Sequence, residues 1–180
     1  KDIFVKIPNL EILECFENNI KERFCNVLKK DNLALNIANA LLEGNVDYVQ
    51  DKLGPLLRSF VSIRDTATKA PHENYYHGFL NGIFTNCKDN LGEYHSNYES
   101  GDGYADILFK DIDCRKVAII ELKSAPVGSD LVTLSETALS QIEEKNYSEP
   151  FMSNRMIQSI YAYGIAFAGK NCAVSVKKMK

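Results

Sequence analysis

The 180-residue chain has no tryptophan, only five prolines and ten glycines, and apolar runs no longer than a strand. So little Pro and Gly excludes collagen-like and low-complexity chains, and 45% hydrophobic residues exclude a disordered one. The longest apolar runs, such as Val117-Ala118-Ile119-Ile120, fall far short of the roughly 18 residues that a membrane-spanning helix needs. Positive charge is not in excess either. There are 21 Lys and Arg against 24 Asp and Glu, a formal net charge of −3, and the acidic excess falls after residue 70. That argues against a broad basic face for non-specific nucleic-acid binding, but it leaves room for a local basic groove or a metal-dependent acidic site. The cysteines (Cys15, Cys25, Cys87, Cys114, Cys172) are odd in number, spread out and without a CxxC pair. They read as reduced, mostly buried small apolar residues. No signal-peptide pattern opens the chain, which begins at Lys1 rather than Met, so a cytoplasmic fragment is expected.

What is present fits one α/β domain with a helical segment ahead of it, a chain long enough to bury about 70% of its unfolded surface. Asn9 suits an N-cap for a helix in which Ile12, Leu13, Phe16, Ile20, Phe24, Val27 and Leu28 recur at helical spacing. A second helix fits Leu33 to Glu43, stopped by Gly44-Asn45. A third fits Val46 to Ser62, with Gly54-Pro55 expected to kink or break it. The first 70 residues hold no cluster of His, Cys or carboxylates and read as a packing or docking layer.

After Lys69-Ala70-Pro71 the pattern changes, and residues 71–180 read as the core. Pro71 suits the first turn of a helix reaching about Cys87. Strands are expected near Gly92–Tyr98, Tyr104–Phe109, Lys116–Leu122, Ile160–Phe167 and Cys172–Val176, with Lys116–Leu122 central because it is almost wholly apolar. Between the third and fourth lies a helix from Leu131 to Lys145, with Leu131, Leu134, Ala138, Leu139 and Ile142 as its expected buried stripe.

The chemistry concentrates on the second and third strands. Asp106 interrupts a strand expected to be buried, and period-2 geometry puts Glu121 and Lys123 on one face at the end of an apolar strand. Charges there are costly unless paired or bound to a metal. Two carboxylates suit Mg²⁺, with Lys123 serving an attacking water; a structural Lys–carboxylate pair is the plainer alternative. His72, His77 and His95 lack the spacing of zinc ligands. Gly101-x-Gly103 lies between strands and reads as a turn with Asp102, and Lys177-Lys178-x-Lys180 reads as a solvated end.

The stretch Glu99-Ser100-Gly101-Asp102-Gly103-Tyr104-Ala105-Asp106-Ile107, followed by Ala118-Ile119-Ile120-Glu121-Leu122-Lys123, resembles the PD-(D/E)XK, or restriction-endonuclease-like, nuclease superfamily. It is most similar to the nuclease-like domains found C-terminal to an AAA-ATPase-like domain in bacterial proteins. Glu73 to Phe79, Gln141 to Tyr147 and Tyr163 to Lys170 extend the match. The resemblance implies a mixed sheet flanked by helices and divalent-metal-dependent hydrolysis of nucleic acid, DNA more than RNA, with Mg²⁺ or Mn²⁺. It implies that Asp106 and Glu121 ligate metal and that Lys123 is the catalytic lysine. Glu73 falls where related nucleases place an acidic residue and is a third candidate metal ligand, and Gln141, a further candidate catalytic residue, falls where some place a glutamine near the metal or DNA. Their plainer readings are a helix-dipole carboxylate and a solvated or capping amide. Ala105 replaces the family's Pro, and Lys145 stands where the recombination exonucleases carry Tyr, with Tyr147 two residues on. A non-catalytic module that binds nucleic acid or docks on an ATPase is the rival reading. Homodimerisation through the helical segment is a further one.

Overall fold

The computed structural model describes residues 10–61 and 72–180, and in it the five expected strand segments join one sheet. They are β1 (Leu91–Ser100), β2 (Gly103–Asp111), β3 (Lys116–Ser124), β4 (Ser159–Ala168) and β5 (Asn171–Lys178), lying side by side in chain order. Neighbours are antiparallel except β3 and β4, which run parallel. A parallel pair cannot be closed by a hairpin, and its crossover carries α5 (Leu131–Glu144) and the short α6 (Glu149–Met152). The central strand is β3, as its composition predicts: every residue from Val117 to Leu122 is buried.

The sheet is covered on both sides. On one face α2 (Leu33–Glu43), α3 (Val46–Phe60) and α4 (His72–Thr85) pack Leu41, Leu57, Leu80 and Ile83 against Ile107, Phe109, Ile120 and Phe167. The first helix, α1 (Leu10–Lys29), adds Leu28 to that core. The Tyr163 hydroxyl crosses the layer to donate to the Leu41 carbonyl at 2.9 Å. On the other face, Ile142 of α5 joins Leu108, Val117, Ile119 and Ile160. A mixed sheet between helical layers is the architecture that the resemblance implied.

Three local expectations need correction. Pro55 does not break the third helix, which runs from Val46 to Phe60 with Pro55 inside it. Buried Val49, Leu53, Leu56 and Leu57 anchor both halves, while Pro55 is exposed, so the backbone bond it forfeits lies on the solvent side. The buried residues of α5 are Ser135, Ala138 and Ile142, whereas Leu131, Leu134 and Leu139 are only half-buried. Among the described cysteines, all free thiols, only Cys87 is buried. The expected roles of Asn9 and Pro71 lie outside the described residues.

The shift along α5 has a backbone cause. A Cβ on Gly164 of β4 would meet the Ser135 carbonyl oxygen at 1.9 Å and the Leu139 nitrogen at 2.5 Å, so the helix rests directly on that glycine. Ser135 then fits beneath, its hydroxyl donating to the Val132 carbonyl at 2.8 Å and paired with Ser175 Oγ at 2.7 Å. Gly164→Ala is expected to push α5 off the sheet and cost about 3 kcal/mol, the upper end for overpacking. A lower urea midpoint at unchanged m value would register it. A neutral result would mean that α5 shifts freely.

Candidate active site

The site begins where two strands part. The β2–β3 ladder pairs Ile107–Lys110 with Val117–Ile120 and stops, although both strands continue. One step further in the same register, Asp106 would stand opposite Glu121. Instead of a main-chain partner, the Leu122 amide donates to Asp106 Oδ2 at 2.7 Å. On the other side of β2, Asn97 occupies the step between the Ser96–Ile107 and Tyr98–Ala105 pairs and takes a left-handed φ of 55°. Asp106 is thus missing from the paired residues on both flanks of its strand.

The opening places two carboxylates together out of water. Glu121 is 3% exposed. Burial first, then the negative charge of Asp106, pushes its pKa up to about 7, while Lys123 pulls the other way. Burial also raises the Asp106 pKa, opposed by its bond from the Leu122 amide and by His77 and Lys123. The two oxygens of Glu121 differ. Oε1 accepts from Gln141 Nε2 and lies 3.5 Å from Lys123 Nζ. Oε2 is buried without a hydrogen-bond partner. A buried, unpartnered carboxylate oxygen beside a second carboxylate is a donor set that suits a hard divalent cation.

Each candidate residue can now be placed. Asp106, Glu121, Lys123 and Gln141 converge. Lys123 follows from the period of β3, and Gln141 from α5 resting on Gly164. Glu73 sits in the first turn of α4, and its charge reaches Glu121, adding to the rise of that carboxyl. Among the described residues, no three or more His, Cys, Asp and Glu side chains form a metal-ligand group.

Two neighbours escaped the sequence reading. His77 Nε2 lies 3.0 Å from the Asp106 carbonyl oxygen, 3.1 Å from Ser96 Oγ and 3.3 Å from Asn81 Nδ2. Its position one helical turn after Glu73 is the signal in the sequence, one that zinc-ligand spacing does not capture. Tyr147 is buried, its hydroxyl would lie 3.1 Å from a Cβ on Gly103, and its phenol feels Gln141, Glu121 and Asp106. Its pKa is raised by burial, and Gln141 opposes that rise. Tyr147 stands six positions after Gln141, once the chain has left α5, and Lys145 occupies the position four after it.

A family model, that of the PD-(D/E)XK nuclease superfamily, matches residues 71–177, which include all five candidate residues. No curated protein matches the chain.

The raised carboxyl has a measurable consequence. An unfolded chain releases the Glu121 proton near the ordinary value of 4.5, whereas the folded chain keeps it until about pH 7. The metal-free protein is therefore expected to lose stability as pH rises between those values and to level off above. The expected loss is on the order of 3 kcal/mol. Glu121→Gln should remove most of that slope in denaturant unfolding followed across this range. An unchanged slope would assign it to other groups.

Proposed function

The chain belongs to the PD-(D/E)XK nuclease superfamily, and on that basis we propose that it hydrolyses phosphodiester bonds in nucleic acid, DNA in the first instance, with Mg²⁺ or Mn²⁺. The observation that supports this most is the unpartnered Oε2 of buried Glu121 beside Asp106. Asp106 and Glu121 would hold the metal, and Glu73 would add negative charge at the edge of the site. A bound divalent cation supplies the charge that draws the scissile phosphate and acidifies a water. Lys123 orients that water and offsets the negative charge that grows on the phosphate. Gln141 holds Glu121 by Oε1 and so keeps Oε2 turned to its task. Asp106, tied by Oδ2 to the Leu122 amide, cannot swing away.

The rival is a non-catalytic module on the same fold, favoured by the lack of a third converging ligand among the described residues. The resemblance to domains that follow an AAA-ATPase-like domain makes such a region the expected neighbour, with residues 1–70 as the layer that meets it. The core, 71–180, would then be a nuclease served by a motor.

Incubation of the chain with single- and double-stranded DNA in Mg²⁺, Mn²⁺ or EDTA is expected to give metal-dependent cleavage. Glu121→Ala and Lys123→Ala should each lower it by about 100-fold or more. Mn²⁺ at about 100 times its dissociation constant should stabilise the wild type by about 2.7 kcal/mol and leave Glu121→Ala unmoved. Cleavage undiminished in Glu121→Ala would refute the site. Absence of both cleavage and metal stabilisation would favour the non-catalytic module.

A further inference from the structure

A concavity lies beside the elements that carry the carboxylate pair. It lies past the carboxyl end of β3, has a volume of about 340 Å³, and runs between His72 and Tyr76 of α4 on one side and Ser124 to Val127 on the other, above Gly169. Both walls are continuous with the candidate site. Ser124 follows Lys123 directly, and Glu73 sits between His72 and Tyr76 in the turn that forms the opposite wall.

The cleft is built firmly. The Tyr76 ring stacks on Phe167 at 4.5 Å and 6°, and its hydroxyl donates to the Gly169 carbonyl at 2.8 Å. The far wall is pinned where the Ala125 amide donates to the Phe167 carbonyl at 2.9 Å. Val127 is left 73% exposed at this edge, with its Cγ2 3.0 Å from where a Gly169 Cβ would lie. The resulting surface is apolar along Ala125 to Val127, with an imidazole and a hydroxyl available from His72 and Ser124. That combination suits a flat heteroaromatic group with polar edges. Volume sets a limit as well: the cleft has room for one base and its sugar, whereas a base that remains paired and stacked cannot enter it.

We infer that this cleft takes one unpaired nucleoside next to the scissile phosphate, so that the substrate is a single-stranded or frayed nucleic acid rather than the interior of an intact duplex. The inference rests on the nuclease reading above for the identity of the neighbouring phosphate.

Binding and cleavage separate the two. In EDTA, the Glu121→Ala chain should bind a fluorescent single-stranded DNA at least about tenfold more tightly than its duplex, read by anisotropy. Adding Ala125→Trp, which fills the cleft, or Val127→Asp, which charges its exposed edge, should weaken single-strand binding about tenfold and leave duplex binding unchanged. Val127 is mostly exposed, so its variant decides the matter should Ala125→Trp fail to fold. Equal binding of both DNAs, or indifference to both variants, would overturn the cleft assignment even where the wild-type chain cleaves DNA in Mg²⁺. Preferential binding without any cleavage would uphold the cleft and sink the nuclease reading.

Discussion

Two carboxylates set side by side inside a protein are the constraint around which this structure is organised. Regular pairing of β2 and β3 would continue through Asp106 and Glu121, and like charges directly opposite one another oppose that pairing. The ladder stops one step short, and the Leu122 amide takes a side-chain oxygen in place of a main-chain one. The interrupted sheet therefore keeps a hydrogen bond and sets two carboxylates side by side. Leaving Glu121 Oε2 buried and unpartnered is costly by itself, so a cation that entered between the carboxylates, as proposed, would stabilise the fold.

The helices decide what surrounds that pair. Only glycine at position 164 allows α5 to touch the β4 backbone, and this contact brings Gln141 to Glu121. From the other layer, α4 supplies three kinds of group within two turns. Glu73 contributes charge, Tyr76 a fixed aromatic wall, and His77 a ring nitrogen against the Asp106 carbonyl. Neither helix could do this without its own core, and α2 and α3 complete the core behind α4. Dryness at Glu121 is thus a property of the whole sandwich.

An acidic chain that is proposed to handle a polyanion is no contradiction once the charge is located. The net charge of −3 describes the surface as a whole, whereas the proposed reaction would concern a phosphate beside Lys123 and a cation between the carboxylates. Weak attraction at long range, with the proposed contacts confined to that site and the cleft beside it, would suit a substrate that is delivered or already opened better than one captured by a broad basic face.

The sequence by itself determined the strand and helix order, the central place of β3 and the common face of Glu121 and Lys123. Each follows from periodicity or from continuous apolar character, which act over a few neighbouring residues. The nuclease pattern is scattered over five segments, and no spacing rule connects them. Tertiary structure alone decided that the ladder opens at Asp106, that Ser135 rather than Leu134 is the α5 residue buried against the sheet, and that Tyr147 and His77 enter the neighbourhood of the site. Those outcomes depend on the distance between backbones that meet only after folding. A glycine such as Gly164 is silent in a hydrophobic pattern and becomes decisive only when a helix is laid across it.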